Sequence, residues 1–390
     1  MFVVALAYLA FFTIALPPSM LGVAWPSIQL SFGVPLSAAG LVAPVGVAAG
    51  LVSTSLSAGL TRRFGVGRVL ATGTLVSAFG LAGNGLSQSW WQFLATIAVL
   101  GFAEGAIDAS LNAYAARRFG PGRITMLHAC YGVGAALSPL IVTATVAAGA
   151  GWRPAYLGVA GILATVGVVF LLTRSRWDAA PGPDAAAGTP RPAVRVWTID
   201  SVAGLLAVVV QTGIEMTVAL WAFTFLTLHV GVGTVLAGTL ASGYWLLLVV
   251  GRIGFGQLAE RVGAWPVLSI AVGLLVCAAV LVNVPTPAAA VLAVVGFGLA
   301  CAPVYPLLVL TTAERTSAEA ADQVVGFQAG ASSLGSAIIP GVVGLAIQQS
   351  SGAFAPALAI LVGVATLVFC FLSFRRSRRR GPGRQDRIKV

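Results

Sequence analysis

The chain has 390 residues, of which 58% are hydrophobic and only 8% are charged. Its mean hydropathy of +0.97 excludes an ordinary soluble domain, because a soluble fold cannot remove that much apolar surface from water. The net charge of +11 is compatible with a nucleic-acid-binding protein or a membrane protein, and the positions of the basic residues decide between them.

Apolar runs long enough to cross a lipid bilayer recur along the chain. A transmembrane helix needs roughly 20 mostly apolar residues, and each run ends at a short polar break or at Gly and Pro. The first run lacks a basic leading segment and a clear cleavage site, so we interpret it as a span rather than a signal peptide. The predicted spans are residues 2–25, 37–60, 68–87, 91–116, 124–149, 153–174, 198–228, 234–258, 265–284, 287–312, 321–348 and 353–374. The sequence therefore predicts an all-α membrane protein of about twelve transmembrane helices.

Basic residues occur at every second connection between these spans, and only Arg153 falls on the other side. Arg252, Arg261 and Arg315 are counted with the basic side. This alternation is typical of the positive-inside rule. It predicts a multi-pass protein of the bacterial inner membrane with both termini in the cytoplasm, and it explains the positive charge without nucleic acid. The other basic residues of these connections are Arg62, Arg63, Arg68, Arg117, Arg118, Arg123, Arg174, Arg176, Arg191 and Arg195, with eight more from Arg375 to Lys389.

A segment rich in Pro, Gly and Ala separates the first six spans from the last six. Its Pro181-Gly182-Pro183-Asp184 run is typical of a flexible connection. The predicted organisation is an N-terminal six-helix bundle at 1–174, a cytoplasmic linker at 175–197, a C-terminal six-helix bundle at 198–374 and a basic cytoplasmic tail at 375–390.

The two groups of six spans resemble each other weakly. Three pairs of segments occur at similar offsets, and internal duplication of this kind is typical of transporters. The sequence therefore predicts two pseudo-symmetric halves. The pairs are Gly59 to Gly65 with Gln257 to Gly263, Gly101-Phe102 with Gly296-Phe297, and Gly134 to Pro139 with Gly335 to Pro340.

Three acidic residues lie well inside predicted spans: Glu104, Asp108 and Glu215. A charged side chain at a helix centre costs roughly 2.5 to 3.5 kcal/mol on insertion scales. Each acid should therefore face a water-filled cavity or carry a proton. Glu104 and Asp108 are one helical turn apart on the same face, and Asn112 lies one turn further along it. Since two nearby carboxylates repel, one can hold a proton that solute or conformation releases.

Other readings of this polar face stay open. Sodium can bind the same carboxylate oxygens in place of a proton, and Glu104 can be a structural residue that hydrogen-bonds a neighbouring helix. His128 in the fifth span can contact a solute hydroxyl, accept a proton, or be structural. The proton and sodium alternatives differ in the ion but place its binding site on the same face of the helix.

The seventh span offers a second polar face. Gln211 lies one turn before Glu215, close to where duplicated transporters build the other wall of the site. Trp221 lies on a different face of an ideal helix and reaches a cavity only if this span is broken. Tyr131 and Gln328 are further candidates for solute contacts, although aromatic residues in spans more often pack or anchor the helix at the interface.

Catalytic constellations are absent from the sequence. It contains no metal-binding cluster, phosphate loop or nucleophile triad. We therefore expect neither an enzyme nor a cofactor, and the only ion expected is H⁺ or Na⁺ as a coupling ion.

The connection after the second span carries a recognisable motif. The segment Gly59 to Arg68 partly matches the motif G-x-x-x-D-R-x-G-R-R, with Arg63, Gly65 and Arg68 as the matching residues, so the chain resembles the major facilitator superfamily. Arg62 stands where that family has its acidic residue. The resemblance implies a conformational role for this loop, with Glu260 and Arg261 at the corresponding place in the second half.

A closer resemblance is to the fucose-permease branch, which includes proton- and sodium-coupled sugar carriers. Asp108-x-x-x-Asn112-Ala113-Tyr114 is similar to the branch's E-x-x-x-N-P-Y, where the acid takes part in proton coupling. His128 falls where sugar-binding members have a polar residue, and Gln211 to Glu215 followed by Trp221 resembles their seventh helix. The first span departs from the branch, because it has Pro17, Pro18 and Ser19 and no acid.

The resemblance implies a secondary transporter that works by alternating access. It favours a proton-coupled symporter, with sodium as the alternative ion, for a sugar or a similar small polar solute. Asp108, Glu104 and Glu215 are then the candidate ion-coupling residues, and His128, Asn112 and Gln211 the candidate solute contacts. The alternatives are a proton-coupled exporter of hydrophobic or cationic compounds and a receptor of the same fold that does not transport. A monomer in the lipid bilayer is expected.

Overall fold

The computed structural model describes residues 2–177 and 196–379. Within these ranges the chain is helical and contains no strand. The helices are α1 (Phe2–Ile14), α2 (Leu16–Phe32), α3 (Val42–Phe64), α4 (Val66–Leu86), α5 (Trp90–Arg118), α6 (Pro121–Ala147), α7 (Arg153–Thr173), α8 (Ile199–Thr224), α9 (Thr234–Val262), α10 (Ala264–Leu281), α11 (Pro287–Leu310), α12 (Thr312–Arg315), α13 (Ala318–Gln349) and α14 (Phe354–Arg379). Twelve segments of the described chain are long and apolar enough to cross a membrane, as predicted.

The first span is longer than predicted and consists of two helices. α1 ends at Ile14, and α2 begins at Leu16 with Pro17 in its first turn, where the missing N–H of proline is tolerated. The predicted end at residue 25 was too early. Pro26 lies inside α2, and the helix ends at Gly33, whose φ of +62° is the left-handed conformation that glycine favours at helix ends.

The last span also extends beyond its predicted end. α14 continues to Arg379, so the first residues of the predicted tail are helical. Arg375 Nε donates to Asp200 Oδ1 at 2.9 Å, and Arg376 Nε lies 3.5 Å from Glu314 Oε2. These ion pairs hold the last turns against neighbouring helices. Most of the predicted linker, 178–195, and the rest of the tail, 380–390, lie outside the described residues.

Helix packing repeats in the two halves. In the first half α3 packs against α5, α4 against α7, and α2 against α6; in the second half α9 packs against α11, α10 against α14, and α8 against α13. Each contact in the first half therefore has a counterpart six spans later. This repetition is what an internally duplicated transporter fold requires.

Two of the three predicted repeat pairs keep equivalent positions. Gly65 and Gly263 both connect consecutive spans with positive φ values of +82° and +90°, which a side chain with a Cβ rarely adopts. Gly134 of α6 lies against the carbonyl of Phe12, and Gly335 of α13 lies against the carbonyl of Val209. The first and seventh spans thus approach the fifth and eleventh closely through glycine.

The third pair is not equivalent. Gly101 of α5 lies against Gly46 of α3, whereas Gly296 of α11 faces Ala278 of α10. The glycine of α11 that lies against the eighth span is Gly298, which faces Tyr244 and Leu247. The predicted match of Gly101 with Gly296 was wrong because several glycines occur close together in α11.

The two halves touch at one end of the bundle. α6 packs against α9, α2 against α8, and α13 against the 3₁₀ turn Leu36–Leu41. Thr143 of α6 contacts Gly238 of α9, but further along α9 Gly254 and Gly256 face open space. The bundle is therefore closed at the end that carries Leu36–Leu41, which we name the closed end. The opposite end carries the arginine-rich connections, and we name it the basic end.

Candidate functional site: a central cavity between the two halves

A central cavity of about 600 Å³ lies between the two halves. Its volume falls within the range of roughly 300 to 1,000 Å³ that small-molecule sites occupy. Most of its wall is apolar, with residues of α1 to α7 on one side and of α8, α9 and α13 on the other. The polar groups of the wall are few, which makes each of them informative. The ionisable ones are Glu104, Asp108, His128, Tyr131, Tyr156 and Arg252.

Close packing of α5 against α3 directs two acids into this cavity. Gly101 and Gly105 of α5 lie against the backbone of Gly46 and Gly50 of α3, a pairing of small residues that lets membrane helices approach closely. The adjacent face of α5 carries Glu104 and Asp108, and both line the cavity as the sequence predicted for a polar face.

The two acids differ in their surroundings. Asp108 is exposed to the cavity, and its Oδ1 accepts a hydrogen bond of 2.9 Å from Asn112 Nδ2. Glu104 is deeper, and its Oε1 is buried without a hydrogen-bond partner among the described residues. An ionised carboxylate in such a position would cost several kcal/mol, and a proton would remove most of that cost. Asn112 itself orients Asp108 and does not line the cavity.

His128 and Tyr131 of α6 lie near these acids. The His128 ring is exposed to the cavity and meets the Phe11 ring edge-on at 5.3 Å between centroids. His128, Asp108 and Arg252 all line the same cavity. Tyr131, about one turn after His128 on α6, also lines the cavity. α6 therefore contributes two polar groups to the cavity that also contains the acids of the first half and the arginine of the second.

Arg252 was placed wrongly by the sequence analysis. It was counted with the basic connections, but it lies inside α9 and lines the cavity. Its Nη2 donates to Glu215 Oε1 at 3.2 Å, and 45% of its side chain is exposed compared with 11% for Glu215. The available signal was its position inside the predicted span 234–258, because an arginine at that depth is costly without a functional or structural role.

Glu215 is held from two directions. Tyr244 Oη donates to its backbone carbonyl at 2.9 Å, and Arg252 binds its carboxylate. Glu215 does not itself line the cavity, which it reaches only through Arg252. Its predicted role as an ion-coupling residue would therefore act through that pair.

Three predicted solute contacts lie away from the cavity. Gln211 Nε2 donates to the carbonyl of Cys301 at 3.2 Å, Trp221 Nε1 donates to the carbonyl of Pro340 at 2.8 Å, and Gln328 Oε1 accepts from Thr312 at 3.1 Å. All three side chains are buried among helices of the second half. The seventh span stays helical through Trp221, so the break that would have exposed this ring does not occur there.

The loop motif lies at the basic end. Arg63 lies over the ring of Phe64 at 5.3 Å, and Arg68 Nη1 donates to the carbonyl of Phe64 at 3.4 Å. Gly59 faces open space. Glu260 and Arg261 are exposed at the end of α9, where the described residues contain no ion pair for Glu260. The backbone of the motif is thus repeated in both halves through Gly65 and Gly263.

Comparison with known families agrees with this architecture. A profile described as Major Facilitator Superfamily matches residues 7–340, which is most of the chain. The chain belongs to the major facilitator superfamily. Members of this superfamily are membrane transporters that bind small-molecule solutes within the membrane. No curated protein sequence matches the chain significantly.

Solved structures of this superfamily have the same fold as this member. The nucleoside transporter NupG matches with a TM-score of 0.74 and 13% identity over 95% of this chain and 97% of that chain. The D-xylose-proton symporter matches with a TM-score of 0.72 and 14% identity over 95% of this chain and 96% of that chain. A third match is a bacterial homolog of the human lysosomal transporter Spinster in an inward-facing and occupied conformation. Its TM-score is 0.75 and its identity 13% over 97% of this chain and 96% of that chain. At these identities the likeness shows the fold, and the resemblance to the fucose-permease branch stays a prediction.

Proposed function

We propose that this superfamily member is a proton-coupled symporter that moves a sugar or a related small polar solute by alternating access. The observation that carries the proposal is the pair of acids on α5. Glu104 has a buried carboxyl oxygen without a hydrogen bond, and Asp108, one turn away, is exposed to the same cavity. A proton can therefore pass between water and a buried carboxyl within a single turn of helix.

The proposed cycle uses the two ends of the bundle. In the proposed cycle the basic end faces the cytoplasm, and the conformation closed at the other end serves as the inward-open state, in which Asp108 and Glu104 release their proton and solute leaves. Loss of the proton leaves two neighbouring negative charges, which repel. Return to the outward-open state restores proton and solute from the other side. The nucleoside transporter and the D-xylose-proton symporter among the structural neighbours support a polar solute.

One observation favours a second function. Most of the cavity wall is apolar, including Phe11, Leu81, Ile97, Leu220 and Trp245. Apolar walls with two acids suit a hydrophobic cation, whose export could be exchanged for protons at the same carboxyls. This alternative differs in the direction of the proton movement that the compound causes.

Proteoliposomes that contain a pH-sensitive dye separate these functions. We would add L-fucose, D-xylose, uridine or tetraphenylphosphonium to the outside, with and without a sodium gradient, and record the internal pH. Symport with protons predicts that one of the polar solutes acidifies the interior and that Asp108→Asn abolishes the signal. The matched control is Asp322→Asn, which neutralises an exposed acid of α13 outside the cavity wall.

Each alternative gives its own result. Proton movement with tetraphenylphosphonium alone supports the exporter. Uptake that follows the sodium gradient and leaves internal pH unchanged replaces the proton with sodium. Proton movement that is equal in Asp108→Asn and in wild type contradicts the role of Asp108.

A further inference from the structure

Arg252 is the cavity residue that neither the sequence motifs nor the proposed coupling scheme uses. It projects from the second half into a cavity whose other wall carries Glu104 and Asp108. An arginine in a membrane-embedded cavity has a high energetic cost unless it has a partner. Glu215 is the ion-pair partner of Arg252, so its contact must account for the charge and the hydrogen-bond donors of the guanidinium.

Two other arginines of this protein show what a structural arginine looks like. Arg315 is buried, and its guanidinium donates to the Leu308 carbonyl at 2.6 Å and to the hydroxyls of Thr311 and Thr312 at 3.0 and 3.1 Å. Arg153 donates to two backbone carbonyls and lies over the Trp152 ring at 4.7 Å. Both guanidinium groups donate several hydrogen bonds to atoms of the protein.

Arg252 is different from both. A guanidinium has five N–H donors, and among the described residues that of Arg252 makes a single hydrogen bond, to Glu215 at 3.2 Å. This distance is long for a charge-assisted bond, which is typically about 2.7 to 2.9 Å. Nearly half of the side chain stays exposed. The remaining donors form a planar fork that faces the cavity and matches a carboxylate in geometry.

We infer that the transported solute is an organic carboxylate and that its carboxylate group binds Arg252, weakening or replacing the contact with Glu215. The inference rests on the proposed function and names its class of solute. In the absence of solute, Glu215 keeps the arginine paired. When the carboxylate binds, the uncharged body of the solute lies against the apolar wall near Trp245 and Leu220. The solute anion and the coupling proton then occupy opposite walls of one cavity.

Charge complementarity separates this inference from its competitors. A neutral sugar gains hydrogen bonds but has no need of a cation in the wall. A hydrophobic cation would be repelled by Arg252. An anion is the class of solute whose charge complements this guanidinium, and Arg252 is the only basic residue other than His128 in the described cavity wall.

The test uses the full-length purified protein and a library of carboxylates of three to ten carbons, each paired with its own primary amide. The amide has nearly the same shape but no charge. Binding is measured as the rise in thermal stability and as a dissociation constant for each compound that stabilises the protein. We expect one or more acids to bind, while the matching amides bind at least tenfold more weakly, which is about the effect of a hydrogen bond to a charged group.

Variants assign the effect to the arginine. Arg252→Gln should weaken the affinity for the carboxylate about 10- to 100-fold and leave the affinity for the amide unchanged. Arg252→Lys should restore part of the difference between the two affinities. Glu215→Gln should increase the affinity for the carboxylate, because it removes the side-chain anion that competes for Arg252. The matched control is Arg117→Gln, which removes an exposed positive charge at the end of α5 outside the cavity.

The outcomes distinguish this inference from the proposed function. If no acid binds more tightly than its amide, or if Arg252→Gln binds acids as well as wild type does, the inference is wrong. Proton-coupled uptake of a neutral solute that is unaffected by Arg252→Gln would overturn the inference and leave the symporter intact. Carboxylate binding at Arg252 without any proton movement would support the inference about the ligand and contradict the symporter.

Discussion

Gly40 and Gly341 are in direct backbone contact across the closed end of the cavity: a Cβ atom on Gly40 would lie 2.6 Å from the Cα of Gly341. Gly40 belongs to the first half and Gly341 to the second. Next to this contact, Ser37 donates to Gln348. Glycine at both positions lets the two halves approach to backbone distance here, so a side chain at either position has no room.

A side chain at this contact should keep the closed end open. In Gly40→Ala the new methyl group meets the backbone of Gly341, and overpacking of this kind costs about 1 to 3 kcal/mol. The ratio of closed to open molecules should fall about 5- to 150-fold. Pulsed electron paramagnetic resonance between nitroxides at Gln88 and Val284, two exposed positions at the closed end, should show longer distances once the four native cysteines are replaced.

The control for this experiment is Gly158→Ala. Gly158 lies in α7 with nothing within 4 Å of the position of a Cβ, so the same substitution should leave the distance distribution as in wild type. An unchanged distribution in Gly40→Ala would show that the contact does not set the closed state.

Trp221 should act in folding rather than in solute binding. Its ring is fully buried, its Nε1 donates to the Pro340 carbonyl at 2.8 Å, and its six-membered ring lies against Gly344. Trp221→Phe removes the hydrogen bond and should lower the free energy of unfolding by about 1 to 2 kcal/mol. Solute affinity should change less than about twofold. Denaturation by SDS and equilibrium binding measure the two quantities.

Trp197→Phe is the matched control for this prediction, because Trp197 is 58% exposed. Its substitution should change neither quantity. A loss of solute affinity in Trp221→Phe without a loss of stability would restore the role that the sequence analysis assigned to this ring.

The number and order of the spans could be predicted from the sequence because each span depends on its own composition. Roughly 20 apolar residues define a helix in lipid whatever its neighbours are. The polar face of Glu104 and Asp108 was equally local, since residues four apart share a face. Both predictions needed no knowledge of how helices pack.

The remaining site residues depend on packing, which the sequence does not show. The hydrogen-bond partner lies on another helix for Gln211, Trp221 and Gln328. That helix is far away in the sequence for the first two residues, and for Gln328 it precedes the residue's own helix by one short connection. Arg252 was misassigned because the positive-inside rule counts charges without regard to whether a charged residue faces a cavity. The matching of Gly101 with Gly296 failed for a related reason, because composition alone cannot choose among nearby glycines.

Arg153, the one arginine outside the positive-inside pattern, should stabilise the closed end. Its Nη1 donates to the carbonyls of Gly85 and Ser87 at 2.8 and 2.7 Å, where the end of α4 leaves carbonyls without helical partners. Arg153→Gln should lower the free energy of unfolding by about 2 to 3 kcal/mol, as expected for hydrogen bonds from a charged group. Denaturation by SDS measures this loss.

Arg123→Gln provides the comparison, because Arg123 is exposed at the basic end. It should cost less than about 0.5 kcal/mol, as most surface substitutions do. Equal stability of the two variants would show that the carbonyl contacts of Arg153 contribute nothing measurable.

The role of Asp108 in coupling is tested most directly by measuring proton-driven accumulation and solute exchange side by side in Asp108→Asn proteoliposomes. The compound used is the one that binds wild type most tightly. The proposed mechanism predicts that accumulation against a gradient is lost while exchange of internal for external solute continues, because the variant still binds and reorients but carries no proton. Accumulation at the wild-type level in Asp108→Asn would contradict the account.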